Sequence, residues 1–355
     1  MENSEGIFHV MQYFNRWEFF HRIKGDMWKI FPYINTVRLL NPLKYHIRGV
    51  LMTDLFYITF PVSGVTTWIF IPPLVAFAVS FFTSMGGVSG AFVLLPFQMS
   101  ILNYTTPSVS GTNQLFNIIA IPSGVWRYVK EKRMVWPLTW AVIIGTLPGV
   151  LIGAWIRLEY LPDSKDFKSF AGFVLLYIGI KLFSDIIKRK ETVQNNESAK
   201  DKTDFVITET RFSVKQAEFR FGGQKYIFSV PGVFSLCFIV GIIGGIYGIG
   251  GGAIIAPFFV AFFHLPVYAV AGASLMGTFV TSIAGVITYQ VLSYVYSGIS
   301  VAPDWYLGFL FGAGGFAGMY LGARCQKHVP VNVIKLILCF CVLFVASKYI
   351  YDFIK

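Results

Sequence analysis

The sequence predicts an all-α polytopic membrane protein: two homologous four-helix repeats with glycine-broken helices, joined by a cytoplasmic linker that carries a β-hairpin. Three observations predict it. The 355 residues are 55% hydrophobic and 13% charged, about half the charge of a soluble domain, and include several apolar runs of spanning length. The stretch Gly241 to Pro257, GIIGGIYGIGGGAIIAP, puts seven glycines into one such run, each costing a helix about 1 kcal/mol relative to alanine. A weaker copy, SMGGVSGAFVLLP, runs from Ser84 to Pro96.

The copies are in register. Setting Pro96 on Pro257 gives an offset of 257 − 96 = 161, which also aligns Gly87 with Gly248, Gly90 with Gly251, Gly111 with Gly272, Gly124 with Gly285 and Tyr128 with Tyr289. Past a short insertion the offset becomes 305 − 136 = 169, aligning Trp136 with Trp305, Gly149 with Gly318 and Gly153 with Gly322. Non-helical backbone at membrane depth survives only where protein or a water-filled cavity receives it. Equivalent breaks in two halves are the best sequence pointer to a transport site.

Taken in order, residues 1–64 form a basic, aromatic, interfacial arm, with Arg16, Arg22, Lys24 and Arg38 among Phe, Tyr and Trp. It has no cleavage site of a secretory signal. Repeat 1 covers 65–187, with spans at Thr67–Asn103, Pro107–Val129, Pro137–Ile156 and Ser169–Ile187. The first is too long for one straight crossing of a core about 30 Å thick, so it must break or tilt. The linker, 188–230, is polar and basic, and the alternation in Phe205–Phe228 around Gly222-Gly223 predicts a hairpin. Repeat 2 covers 231–355, with spans at Val233–Phe263, Val267–Ser293, Asp304–Gly322 and Val333–Phe353.

Four crossings plus four would put both termini and the linker on one side. The Arg127–Arg133 and Lys188–Lys190 clusters make that side cytoplasmic, with Arg324 and Lys327 dissenting. The repeats would then be related by an axis along the membrane normal. Re-entrant hairpins in place of broken crossings would undo this topology.

The net charge of +11 reflects basic segments beside anionic lipid rather than nucleic acid. The four cysteines lack zinc or disulfide-framework spacing and the five histidines are scattered. No catalytic residues, metal ligands or cofactor motif emerge, so the chain is not expected to be an enzyme. The membrane centre is nearly free of charge apart from Lys181 and Asp185.

Neutral hydrogen-bonding groups and bare backbone cluster at the breaks instead. The candidate substrate-binding residues are Ser84, Gly86, Gly87, Ser89 and Gly90 in the first stretch, and Thr112, Asn113, Gln114 and Asn117 on the next span. Gly248, Gly250, Gly251 and Gly252 in the second stretch and Ser274 and Thr278 after it complete them. A half-helix beginning after each break would turn unpaired N–H groups toward an anion. The competing use of Asn113 and Asn117, one turn apart, is to glue helices together.

The duplicated G-I-G-G-G-x-I-x-x-P element, the half-size repeat and the hydrophilic linker resemble the TauE/SafE sulfite exporter family. The resemblance covers about residues 65–353 and is most specific at Gly248–Pro257. Ser89 and Ala91 depart from it in the first copy, and the long arm is not part of the family pattern. It implies a permease of the bacterial inner membrane, with cytoplasmic N- and C-termini, exporting a small anion such as sulfite, thiosulfate or an organosulfonate. An anion channel with a glycine-lined constriction is the alternative. Partners would be that anion and membrane lipid, and a homo-oligomer is compatible with the sequence.

Overall fold

In a computed structural model that describes residues 56–85, 88–192, 207–221, 223–325, 336, 339–340, 343–344 and 346–351, the chain begins with a ribbon. Strands β1 (Tyr57–Thr59) and β2 (Thr66–Trp68) pair antiparallel. The helix expected from Thr67 starts later, because Thr66, Thr67 and Trp68 suit a pleated strand. Helix α1 (Ile71–Met85) takes Pro72-Pro73 into its first turn, where missing N–H groups cost nothing. Residues 1–55 of the expected arm, Gly86, Gly87 and about half of the span expected at Val333–Phe353 lie outside the described residues.

Helix α2 (Ala91–Ser100) follows the first glycine stretch, then α3 (Ser108–Lys130), α4 (Trp136–Glu159) and α5 (Ser164–Thr192). The linker holds a three-stranded antiparallel meander rather than a lone hairpin: β3 (Thr208–Phe212), β4 (Gln216–Phe221) and β5 (Gln224–Ser229). Gly223, at φ +74°, makes the β4–β5 turn. On the exposed face Glu218 bridges Lys225 and Arg211, and the Lys225 hydrogen bond, foremost, holds its carboxyl below the usual glutamate range. Strand β5 runs straight into α6 (Val230–Tyr247), whose N-cap Ser229 accepts from the Gly232 N–H. Helices α7 (Ile255–Phe263), α8 (Val267–Val295) and α9 (Trp305–Cys325) complete the order.

Among the described residues, α4, α6, α8 from Ala269 and α9 are long and apolar enough to cross a membrane. Their outer faces expose large apolar side chains, including Trp140, Ile144, Ile239, Ile287 and Phe309, as a lipid-facing surface requires. Two aromatic clusters mark the ends of the bundle: exposed Trp126, Trp136 and Trp140 at one, Trp155, Tyr160, Trp305 and Tyr306 at the other.

Two glycine seams join the halves. Along α4, Gly145, Gly149 and Gly153 face the carbonyls of Phe234, Phe238 and Ile242 on α6. Along α9, Gly314, Gly318 and Gly322 face those of Pro73, Phe77 and Phe81 on α1. The glycine triplets differ by 169 (314 − 145) and the carbonyl triplets by 161 (234 − 73), the offsets found in the sequence. Contact this close needs bare backbone: a β-carbon on Gly149 would lie 2.5 Å from the Phe238 oxygen.

The seams also set helix direction, and direction corrects the expected topology. Residue numbers rise together along α1 and α9, so the two helices are parallel. The same holds for α3 and α9, where Leu115 meets Gly308, Ile119 meets Gly312 and Gly124 meets Met319. Helix α3 therefore runs with α1, not against it. The chain returns between them: Ser89 bonds Asn117, Gln98 bonds Asn113, and Tyr104 bonds Ser108. The first glycine element is thus a hairpin rather than one broken crossing. Helices α3 and α8 are antiparallel, with Gly111 on Tyr289 and Gly272 on Tyr128.

The ribbon and the linker sheet consequently lie at opposite ends of the bundle. The ribbon meets the α8–α9 loop, where Ser63 N–H donates to Asp304 (3.1 Å) and Ser300 donates to the Val62 carbonyl (3.0 Å). The linker meets the α3–α4 loop, where Ile207 N–H donates to the Lys132 carbonyl (3.2 Å).

We expect Gly149→Val and Gly318→Val each to abolish the monodisperse peak of the purified protein on size-exclusion chromatography. Gly298→Val, where a β-carbon meets nothing within 4 Å, should leave that peak unchanged. A normal peak for either seam variant would show that the seam tolerates separation.

Candidate functional site

Both glycine stretches end at the crossing of α3 and α8. Helix α6 stops at Gly248 (φ +75°), Gly250 is also left-handed (φ +81°), and α7 begins at Ile255 after a short turn, two residues later than the glycine pattern implies. A break inside a dry bundle leaves carbonyls that need donors. Two asparagines on α3 supply them. The Asn113 amide donates to Ala91 O beyond the first break and to Gly248 O at the second, both at 3.1 Å, and its oxygen accepts from Gln98. Asn117 donates to Ile249 O (2.8 Å) and Ser282 Oγ (3.2 Å) and accepts from Ser89. Ser89 in turn accepts from Ala91 N–H, the first of α2.

The other expected residues divide by what they already bond. Thr112 is fully engaged with Ser108 O, Tyr104 and the Asp304 N–H. Thr278 donates to Ser274 O, and Ser84 to Phe81 O. Gly250 packs on Ser282, and Gly252 on Ser274 and Thr278. Gly251 packs on Thr146 and gives its N–H to Thr281. Gly90 caps α2 beside Ser80 and Thr83. Gln114 and Ser274 differ from these: both are buried, and among the described residues neither the Gln114 amide nor the Ser274 hydroxyl has a hydrogen-bond partner.

The sequence reading missed a neighbouring group of the same kind. Ser110 lies one turn before Gln114 on α3, against Gly248. The Tyr289 hydroxyl on α8 lies beside it within reach of a hydrogen bond, and among the described residues neither hydroxyl has any other partner. Near the end of α4, Arg157 is 0% exposed. Its guanidinium stacks 3.8 Å over the Phe167 ring, and among the described residues none of its nitrogens has an acceptor. Tyr289 and Asp163 are near enough to act on its charge. The stack is worth about 0.5–2 kcal/mol, against several kcal/mol for burying an uncompensated ion. The expectation of a charge-free interior fails at this residue. Asp304 is equally buried but paired, capping α9 through the Leu307 N–H and accepting from Ser63. Only the matching of Tyr289 to Tyr128 hinted at this region. A lone arginine at a helix end otherwise looks like an interfacial anchor.

Comparison with known proteins agrees with a membrane transporter. The family described as "Sulfite exporter TauE/SafE" matches residues 73–349. The chain is 24% identical over 278 residues to the probable membrane transporter protein YunE of Bacillus subtilis (strain 168), covering 76% of this chain and 92% of that protein. No solved structure matches.

Because their amides carry the break carbonyls, Asn113→Ala and Asn117→Ala should each cost about 1–3 kcal/mol of stability, read as a lower unfolding midpoint in detergent. Gln114→Ala should leave the midpoint unchanged. A Gln114 variant that unfolds earliest would assign that amide to structure instead.

Proposed function

This chain belongs to the sulfite exporter TauE/SafE family, and from that premise we propose that it exports a small sulfur-containing anion, sulfite, thiosulfate or an organosulfonate. It is a multi-pass membrane transporter. The anion binds where the two breaks converge on α3 and α8, and the supporting observation is the unpartnered Gln114 amide buried there against Gly285, with the unpartnered Ser274 hydroxyl three turns away along α8 beside Gly252. Asn113 and Asn117 shape that place by holding the breaks, and Gly248 and Gly250–Gly252 let the backbone there close up against α3, α4 and α8. The two halves act as inverted repeats, a relation that the matched seam registers support. No catalytic step is involved.

The linker face is cytoplasmic in this proposal. Arg127, Lys130, Lys132, Arg133, Arg211, Lys215, Arg220, Lys225 and Arg324 all belong to the linker end of the bundle. Arg324 thereby joins the basic side instead of dissenting from it. The membrane is the bacterial inner membrane, and lipid covers the exposed apolar faces.

Transport is driven by voltage without a coupling ion. A proton relay needs a group that releases its proton near neutrality, and the buried Arg157 does not. With a negative interior, an exported monoanion gains about 2.3 kcal/mol per 100 mV, or roughly 3.5 kcal/mol at about 150 mV. That sustains an outward gradient of a few hundred-fold. In proteoliposomes under a potassium-diffusion potential with no pH gradient, sulfite flux should follow the imposed voltage. Flux that ignores voltage and demands a proton or sodium gradient would overturn this, and unitary currents would make the protein a channel. In the same assay, Gln114→Ala and Ser274→Ala should reorder the preference among sulfite, thiosulfate and taurine. Unaltered preference in both would move the site elsewhere.

A further inference from the structure

We propose that Arg157, Tyr289, Ser110 and Gln114 form a second binding station, in which the Arg157 guanidinium is the fixed cation for an oxyanion. The proposal deepens the anion-transport reading and rests on it only for the sulfur chemistry of the probe. Three features carry it: a buried cation without an acceptor, a row of donors leading to it whose two hydroxyls have no partner but each other, and bare backbone beside that row.

Ser110 and Gln114 are one turn apart on α3, and Gly285 and Tyr289 are one turn apart on the facing stretch of α8. Both glycines let the helices close up: Gly111 packs on Tyr289, and Gly285 receives the Gln114 amide. Among the described residues the Gln114 amide and the Arg157 guanidinium lack hydrogen-bond partners, and the Ser110 and Tyr289 hydroxyls between them have no partner but each other. Gly248, at φ +75°, borders the row with no side chain, where a β-carbon would lie 2.6 Å from Ser110 Cα. The row starts at the crossing where the breaks meet and ends beside Glu159, near the end opposite the linker.

The chemistry selects an acceptor ligand. A guanidinium, two hydroxyls and an amide NH2 can all donate, and a planar guanidinium fork matches two oxygens of one anion. The acid that acts on its charge, Asp163, is exposed and forms no ion pair with it, and nearby Glu159 accepts from Tyr296. A compact trigonal or tetrahedral oxyanion satisfies these donors. A cation or a neutral apolar solute does not.

The competing role for Arg157 is structural, as a pin between α4 and Phe167. The two roles differ in what removal does to the protein without anion. Purified full-length protein in detergent would be titrated with sulfite, thiosulfate, sulfate and, as an oxyanion without sulfur, nitrate, following the unfolding midpoint by intrinsic fluorescence. Wild type should be stabilised by several degrees by at least one. Arg157→Met should keep an anion-free midpoint at or above wild type and bind at least tenfold more weakly. Arg157→Lys should recover part of the response, since it keeps the charge and loses the fork. Tyr289→Phe should cost three- to tenfold in affinity, and it carries the test if Arg157→Met fails to fold. An undiminished response in Arg157→Met, or in Tyr289→Phe where that carries the test, overturns the station, as does a wild type that answers no anion. A wild type that answers nitrate but no sulfur anion leaves the station standing and overturns the sulfur substrate.

Discussion

Everything in this structure turns on supplying donors to buried carbonyls that lose their helical partners. Two glycine breaks meet inside one bundle, and the amides of Asn113 and Asn117 reach across to Ala91, Gly248 and Ile249. An unmet buried carbonyl costs as much as a lost hydrogen bond. These two side chains therefore fix where the hairpins sit against α3, and so where any ligand can be met.

The hairpins explain how chains running in opposite senses pack alike. Because α2 returns beside α3, α1 is free to run parallel to α9, and α6 is likewise parallel to α4. Helices of the two halves then pack directly on one another, α1 and α3 on α9 and α4 on α6 and α8. Small residues at the contacts substitute close backbone packing for the hydrophobic force that lipid does not supply. The aromatic ends and apolar faces follow from the same arrangement.

Much of this was legible in the sequence. Apolar runs located α3, α4, α8 and α9 to within a few residues, because span length and composition are local properties. The glycine stretches announced where helices stop, since Gly248 and Gly250 adopt φ values other residues avoid. Direction was not legible. Whether a break continues a crossing or turns it back depends on which helix lies alongside, and that is settled by contacts between residues more than a hundred positions apart, such as Pro73 and Gly314. The roles of the polar residues were hidden for the same reason. Asn113 and Gln114 are adjacent and similar, yet one is spent on two backbone carbonyls and the other on nothing. Arg157 stayed hidden because burial from its surroundings leaves no periodic mark.

The glycine seams have a mechanical consequence. A contact that repeats every four residues on both partners is degenerate in register, since a slip of one turn sets two of three glycines on carbonyls again. Such a slip is about 6 Å at 1.5 Å per residue. Without interlocking side chains there is little corrugation to resist it, so each seam works as a rail with evenly spaced detents. What stops free travel is the asparagine clamp, because Gly248 and Ile249 end the α6 rail and are held by α3. Rigid-body displacement and ligand occupancy would then meet at the same two residues, the latch on an otherwise smooth track.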